Sequence, residues 1–127
     1  MSSKKRNNFF NINSLEDGIY RALASGVNAR IFPGEKSMIS IVHIKPHAEG
    51  AIHSHPQEQW GYLVEGSLTR IQDGLFVEVK KGDFWRTPPN VEHGIVGGPQ
   101  GAIIFDIFAP IRKEYLLAGS GFGKGEE

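Results

Sequence analysis

The chain contains 127 residues, and its 14 basic and 14 acidic side chains give a formal net charge of zero. This length is typical of one domain, and the balanced charge argues against a nucleic-acid partner. Hydrophobic residues make up 39% of the chain, which argues against a membrane protein. There is no cysteine, so thiolate metal sites are excluded and a metal could be held only by histidine, carboxylate or amide groups.

The two ends of the chain differ in composition from the residues between them. Residues 1–12 start polar and basic, without the apolar stretch of a secretory signal peptide, which predicts a flexible arm and a cytoplasmic protein. The apolar residues that end this arm leave open a second interpretation, in which it docks onto the domain or a partner subunit. Residues 118–127 are rich in glycine and predict a flexible tail that is dispensable for chemistry. We therefore expect a single domain over residues 13–117.

Between these ends, short runs rich in Ile, Val, Phe and Tyr alternate with turn residues. Runs that start roughly every 8–12 residues are typical of a β-sandwich or β-barrel. The predicted strands are 18–24, 27–32, 38–45, 60–65, 67–72, 75–79, 83–87, 94–96 and 102–109. Asp73-Gly74 predicts a type I′ hairpin turn. Helical signals are confined to one turn after Ser14 and a short segment at 112–117, so the predicted fold class is all-β.

Three of the five histidines lie in two glycine-framed segments. His53 and His55 are two residues apart, and on a strand this spacing places both imidazoles on one face. A turn after this pair would bring Gln59 or Glu58 to the same centre, and the second segment delivers His93. Three imidazoles and one oxygen donor suit a divalent Zn, Ni, Fe or Mn ion, with free positions facing a cavity.

A structural role is the alternative for each of these histidines. A lone histidine on a strand is more often packed or exposed than bound to metal, and a single His-x-His pair is a weak signal. Two glycine-framed segments with compatible spacing are much harder to obtain by accident, which favours the metal site. His43 and His47 lie outside both segments, and we expect them to be structural.

The two segments resemble the two motifs of the cupin superfamily over about residues 37–116. The matching residues are Gly50 (closer to His53 than is usual), His53, His55, Gln59 and Gly66 in the first motif, and Gly82, Pro88, Asn90 and His93 in the second. The resemblance implies a double-stranded β-helix, or jelly-roll barrel, with one divalent transition metal ion and a homodimeric assembly. In the cupins that share the His-Pro-x-Glu-Gln arrangement the glutamine is a ligand, which favours Gln59 over Glu58.

A carboxylate interrupts the apolar run of the last predicted strand. Alternation places Ile104, Asp106 and Phe108 on one face of this strand. Burying a carboxylate is costly unless it is paired or hydrogen-bonded. Asp106 therefore either forms a structural salt bridge, with Arg112 or Arg30, or faces the metal as a general acid–base group.

The Asp-x-Phe-x-Pro-x-Arg pattern of this segment resembles the pectin-degradation cupins of the KdgF type. Enzymes of that type act on 4,5-unsaturated galacturonate and help its ring open to the linear keto form. The resemblance implies that Asp106 transfers the proton, that Phe108 forms a pocket wall and that Arg112 binds the sugar carboxylate, for which a planar guanidinium is suited. The end of the pattern also occurs in cupins of unknown role.

Several arginines and aromatic residues have no assigned role at this point. An arginine that pointed inward would be a second anion anchor, and the candidates are Arg21, Arg30, Arg70 and Arg86. Trp60 could form a pocket wall or a subunit contact. The remaining aromatic side chains are interpreted as barrel filling or interface, and they are Tyr62, Phe76, Phe84 and Trp85.

Three functions fit these features. The one we favour is a metal-dependent enzyme, of isomerase or lyase type, that acts on a small carboxylated molecule derived from a sugar. The second is another cupin enzyme, such as a dioxygenase or a lyase, because the ligand set alone does not exclude it. The third is a non-catalytic ligand-binding or sensor cupin.

Overall fold

The computed structural model describes residues 8–122, and the regular structure in this range is almost entirely β-strand. The strands are β1 (Ile19–Ala24), β2 (Val27–Pro33), β3 (Met38–Ile44), β4 (Glu49–His53), β5 (Glu58–Gln72), β6 (Leu75–Lys80), β7 (Phe84–Thr87), β8 (His93–Ala109) and β9 (Gly119–Ser120). A short 3₁₀ helix spans Lys113–Leu116, within the predicted helical segment. The predicted all-β fold class is confirmed. Within residues 8–122, no helix has the length and apolar character needed to span a membrane.

The strands form one sheet in the order β6-β5-β8-β3-β2-β1-β9, with β4 paired to β8 and β7 paired to β5. The two longest strands, β5 and β8, run antiparallel and pair along nearly their whole length. At one end of this ladder they are flanked by β3 and β7, and at the other end by β4 and β6. The β5–β8 ladder therefore connects two halves of the sheet.

Both long strands are interrupted by a glycine where the two halves of the sheet meet. Gly66 of β5 has a φ of 82°, and a Cβ there would lie 2.0 Å from the carbonyl oxygen of Gly101 in β8, so only glycine fits. The prediction that 60–65 and 67–72 are separate strands, and likewise 94–96 and 102–109, was wrong. The chain continues through irregular pairing near Gly66 as at β-bulges, which a local sequence pattern does not distinguish from a turn.

Other local predictions depend on shorter stretches of backbone. Asp73 and Gly74 both have positive φ angles, 51° and 80°, which confirms the predicted type I′ hairpin between β5 and β6. Strands β4 and β9 were not predicted as strands, since neither shows a regular alternation of apolar residues. The two halves of the sheet enclose one hydrophobic core, to which one half contributes Val27, Ile31, Met38 and Leu63 and the other Leu68, Val79 and Ile95.

Parts of the N-terminal arm and of the C-terminal tail contact the strands. Within the N-terminal arm, residues 1–7 lie outside the described range, while the Phe10 ring packs on Phe32 with 4.8 Å between centroids, as docking of the arm requires. In the C-terminal tail, Gly119 and Ser120 pair with β1 and Phe122 is buried, because main-chain pairing with β1 holds this glycine-rich stretch. Residues 123–127 of the predicted tail lie outside the described range, and the boundaries of the 13–117 domain stay a prediction.

Candidate metal centre

Three buried histidines lie close together in the space enclosed by the two halves of the sheet. His53 is the last residue of β4, and it pairs with His93, the first residue of β8. His55 lies two residues beyond β4, and the candidate ligand atoms of all three residues lie within 4.8 Å of one another. His53 and His55 therefore do not share a strand, since β4 ends at His53. The turn nevertheless brings the second imidazole to the same centre.

Each imidazole is oriented by a main-chain carbonyl two residues away in sequence. The Nδ1 atoms of His53, His55 and His93 lie 2.8, 3.0 and 2.9 Å from the carbonyl oxygens of Ala51, Gln57 and Val91, respectively. Because a carbonyl oxygen only accepts hydrogen bonds, Nδ1 carries the proton in each ring and Nε2 presents its lone pair. Metal-bound histidines are typically oriented in this way.

Burial keeps two of these imidazoles neutral. Desolvation, together with the nearby positive charge of Arg112, lowers the pKa of His55 to about 4. Desolvation, together with the charge of Arg70, lowers the pKa of His93 to about 2. The neutral form is the one that binds a metal ion, so these residues fit the predicted metal site.

Gln59, rather than Glu58, approaches the three histidines. Gln59 is buried, and its Oε1 lies 3.0 Å from Nε2 of His55. Because His55 carries its proton on Nδ1, both atoms of this contact are acceptors, and two acceptors this close fit two ligands of one cation. Glu58 instead accepts a hydrogen bond from Arg86 near the surface.

His53, His93 and Gln59 border a cavity with a volume of about 30 Å³. Six buried side-chain atoms within residues 8–122 have no hydrogen-bond partner, and four of the six belong to residues that line this cavity. These four are Ser40 Oγ, His93 Nε2, Asp106 Oδ1 and Arg112 Nε. Since buried polar atoms without partners are costly and uncommon, their concentration here indicates a ligand site.

Asp106 faces the cavity from β8, on the same side as Ile104 and Phe108. Desolvation raises the pKa of Asp106 to about 6, and it outweighs the positive charge of Arg70 and a hydrogen bond from Gln59, which both lower it. A carboxyl group with this pKa can both accept and release a proton near neutral pH.

Neither salt bridge that we considered for Asp106 is among the ion pairs of the described residues. Arg30 instead lies over the ring of Tyr20, with 5.2 Å from the guanidinium carbon to the ring centroid. Arg112 lines the same cavity as Asp106, and the two charges influence each other without direct pairing. The purely structural interpretation of Asp106 as one half of an ion pair therefore loses its basis.

Arg112 reaches the cavity from the segment that follows β8, and only 1% of its surface is exposed. Its guanidinium carbon lies 4.0 Å from the ring centroid of Tyr115 and 5.2 Å from that of Phe108. Its Nη2 donates a hydrogen bond to the main-chain carbonyl of Phe122. The aromatic contacts hold a cation in an apolar surrounding beside the candidate metal ligands.

Comparison with known proteins shows which family the chain is related to. The Cupin domain family matches residues 40–108, a range that contains the three histidines, Gln59 and Asp106. The chain belongs to the cupin family. This cupin resembles the pectin degradation protein KdgF of Dickeya dadantii, with 27% identity over 99 residues that cover 76% of this cupin and 90% of KdgF. It also resembles the oxalate decarboxylase OxdC of Bacillus subtilis, with 30% identity over 103 residues that cover 74% of this cupin but 26% of OxdC.

Solved cupin structures share the fold of this cupin. An RmlC-like cupin from Shewanella frigidimarina superimposes with a TM-score of 0.71 at 30% identity, covering 79% of this cupin and 90% of that chain. KdgF from Halomonas sp. superimposes with a TM-score of 0.69 at 24% identity, covering 76% and 89%. The predicted jelly-roll cupin fold is confirmed.

Among the arginines left open by the sequence, Arg70 is the one that lines the cavity of this cupin. It donates hydrogen bonds to Thr87 Oγ1 at 2.8 Å and Gln72 Oε1 at 3.3 Å, and it lies over the ring of Trp85. Desolvation lowers the pKa of Arg70 to about 10, so it stays positively charged at neutral pH. Alternation along β5 was the sequence signal that could have placed it inside.

Other open residues of the cupin lie away from the cavity. His43 and His47 are exposed, in agreement with their exclusion from the metal site. Trp60 is exposed and does not line the cavity. Of the two roles expected for these aromatic residues, barrel filling suits Trp85, which packs against the core. Tyr62, Phe76 and Phe84 are exposed, so for them the interface role stays a prediction.

Sequence analysis did not identify two aromatic residues that line the cavity, Tyr115 and Phe122. The ring of Phe122 stacks on His53, with 4.4 Å between centroids and 28° between planes. No motif or periodicity in the glycine-rich tail distinguishes Phe122. Its place in the site depends on how the tail returns to β1.

Proposed function

We propose that this cupin is a metal-dependent enzyme that opens or isomerises a small carboxylated substrate of the unsaturated uronate type. The observation that carries the proposal is the cavity, which combines the histidine cluster with the buried carboxylate of Asp106 and the buried guanidinium of Arg112. Such a set of groups can bind oxygen atoms and a carboxylate and can move a proton. The similarity to KdgF, a pectin degradation protein, supports this substrate class.

His53, His55, Gln59 and His93 would hold one divalent transition metal ion, of the Ni, Zn, Fe or Mn type. The neutral imidazoles of His55 and His93 and the close contact of two acceptors fit such an ion. When bound, the ion supplies Lewis acidity that polarises a substrate oxygen, and a neutral glutamine ligand leaves it more positive than a carboxylate would. Oxalate decarboxylase from Bacillus subtilis contains Mn(II) centres.

Arg112 and Phe108 would position the substrate. The planar guanidinium of Arg112 matches a carboxylate with two parallel hydrogen bonds, and its Nε is a buried donor without a partner among the described residues. The Phe108 ring contacts both His55 and Arg112, so it would form the wall between the metal ligands and the carboxylate anchor.

Asp106 would move the proton. In the ring opening of a 4,5-unsaturated uronate, the anomeric hydroxyl loses a proton, the C1–O1 bond becomes a carbonyl and the bond from C1 to the ring oxygen breaks. The enolate that remains takes up one proton at C4 and becomes a ketone at C5. One carboxylate that accepts the first proton and returns it to C4 balances the reaction without an oxidant or reductant.

The test is to follow the loss of ultraviolet absorbance of 4,5-unsaturated galacturonate with metal-loaded protein against the spontaneous reaction. We expect clear acceleration, and we expect Arg112→Lys to raise KM by about tenfold or more, since one ammonium cannot replace a bidentate guanidinium. Arg86→Lys, a change at the surface, should leave KM unchanged. If metal-loaded wild-type protein gave no acceleration, the substrate assignment would be wrong.

A second candidate is a metal-dependent lyase or dioxygenase. It is supported by the similarity to oxalate decarboxylase, although this cupin spans only 26% of that protein. Release of CO₂ from oxalate, or consumption of dioxygen with small organic acids, would favour this candidate over the isomerase. Binding of carboxylates without turnover of any of these substrates would favour a sensor.

A further inference from the structure

The cavity is too small, as it stands, for the substrate proposed above. Its volume of about 30 Å³ is room for about one or two water molecules. Sites for small organic molecules commonly have volumes of about 300 Å³ or more. A uronate can therefore reach the candidate metal ligands only if part of the cavity wall moves.

Most of this wall belongs to the sheet, but Phe122 does not. It is carried by the C-terminal segment, residues 117–122, in which only the two-residue strand β9 pairs with the sheet. Most other lining residues lie on strands β1 to β8 and are held by long hydrogen-bonded ladders. Segments held by few main-chain hydrogen bonds open at a much lower free-energy cost than central strands, so the C-terminal segment is the part of the wall most able to move.

Phe122 contacts two residues of the proposed site. Its ring covers His53, one of the candidate metal ligands. Its main-chain carbonyl oxygen accepts a hydrogen bond from Nη2 of Arg112, the side chain proposed to bind the carboxylate. A peptide carbonyl and a carboxylate oxygen compete for the same N–H donor.

Arg21 holds the C-terminal segment in this position. This buried side chain on β1 donates to four main-chain carbonyl oxygens, those of Ser120 and Gly121 at 2.7 Å, Glu114 at 3.1 Å and Leu117 at 3.4 Å. The Gly121 N–H also donates to the Ala22 carbonyl. Polar contacts to β1 thus latch the segment, and Phe122 is its one residue in the hydrophobic core cluster.

We propose that the C-terminal segment is a lid over the metal cavity, and that the Phe122 carbonyl leaves Arg112 when a carboxylate ligand binds there. This inference rests on the proposed role of Arg112 as the carboxylate anchor. If only the open fraction of molecules can bind, the apparent affinity for carboxylates is reduced by that fraction. Phe122 and Arg21 would then control access to the site.

The first experiment needs no substrate. Zinc-loaded wild-type protein, Phe122→Ala, Arg21→Met and Phe76→Ala are each mixed with an excess of a chromogenic chelator, and the rate of metal removal is recorded. Phe76 is an exposed ring on the hairpin formed by β5 and β6, so its variant controls for the loss of an aromatic side chain. We expect removal about tenfold faster from Phe122→Ala and Arg21→Met, because both raise the open fraction, and the wild-type rate from Phe76→Ala.

Two results of this experiment would overturn the lid. One is an equal rate of metal removal from all four proteins. The other is faster removal from Phe122→Ala alone, which would mean that the ring only supports His53. Arg21→Met separates these cases because Arg21 contacts the C-terminal segment and not the histidines.

The second experiment measures the competition for Arg112. D-galacturonate is titrated into the zinc-loaded proteins by calorimetry, and we expect about tenfold tighter binding to Phe122→Ala than to wild type or Phe76→Ala. Equal or weaker binding would overturn the competition. In wild type, hydrogen exchange of the Gly121 amide should become faster when D-galacturonate binds, and slower exchange would contradict opening.

These outcomes are distinguishable from failure of the proposed reaction. If D-galacturonate binds as expected but 4,5-unsaturated galacturonate is not converted, the reaction is wrong and the lid stands. If neither wild type nor Phe122→Ala binds D-galacturonate, the competition is overturned together with the role of Arg112, whatever the chelator experiment shows.

Discussion

On the inner face of the β5–β8 ladder polar side chains lie among buried apolar ones, whereas on the outer face large apolar side chains are exposed. The inner face carries Gln59 and Asp106, which are 4% and 7% exposed. The outer face of the same strands carries Trp60, Tyr62 and Ile107, which are 43%, 44% and 37% exposed. Alternate residues of two strands thus place polar groups in the interior and large apolar groups at the surface.

Neither face is what folding of a single chain alone would favour. Buried polar atoms without partners lower stability, and contiguous apolar surface typically marks a contact with another molecule. The metal and the carboxylated substrate that we propose would explain the inner face. The outer face supports a homodimer, which the cupin resemblance also implies and which we propose here.

The largest expected effect is the loss of metal affinity in His93→Ala, a change on the inner face. Removing one of three imidazoles should lower metal affinity by more than about 100-fold, since even changes to residues behind the ligands cost 10- to 100-fold. Elemental analysis of the purified protein measures the metal content, and His43→Ala on the exposed surface is the control. Full metal content in His93→Ala would contradict the metal centre.

Asp106→Asn should next separate chemistry from metal binding. Loss of the proposed proton-transfer group should lower the rate of uronate conversion by about 10²- to 10⁴-fold, while the four proposed metal ligands remain. The rate and the metal content of the same preparation are to be compared. Unchanged turnover would remove Asp106 from the reaction and favour the sensor.

Substitutions at two neighbouring positions of β5 test how much each face contributes to the free energy of unfolding. Leu63→Ala removes a fully buried side chain and should lower the free energy of unfolding by about 2–5 kcal/mol. Tyr62→Ala, on the outer face, should lower it by less than about 1 kcal/mol at protein concentrations where the chain is monomeric. Urea denaturation followed by circular dichroism measures both.

The smallest effect on the folded monomer is expected from Trp60→Glu, which adds a charge to the outer face. It should weaken the proposed homodimer by at least about tenfold, because an interface core excludes charged groups. Analytical ultracentrifugation over a range of concentrations measures this, with Phe76→Glu on the β5–β6 hairpin as the control. A monomeric wild-type protein would leave the exposed outer face without this explanation.

Much of the fold and of the site could be predicted because it depends on short-range geometry. Alternation placed Asp106 and Phe108 on the same side of β8, and the spacing of glycine-framed histidines brought His53, His55 and His93 together. The bends near Gly66 and Gly101 could not be predicted, because a glycine in a bulge and a glycine in a turn have the same local signature. Nor could the place of Phe122, whose neighbours are distant in sequence.

The sequence by itself determined the all-β class, the cupin motifs and the residues able to bind a metal, since backbone periodicity and side-chain chemistry are local properties. The missing cysteine also restricted a metal site to imidazole, amide and carboxylate groups. Only the tertiary structure decided that Arg70 and Arg112 flank Asp106 without an ion pair, and that the C-terminal segment closes the cavity. These features depend on contacts between strands and segments far apart in the chain, which no local pattern specifies.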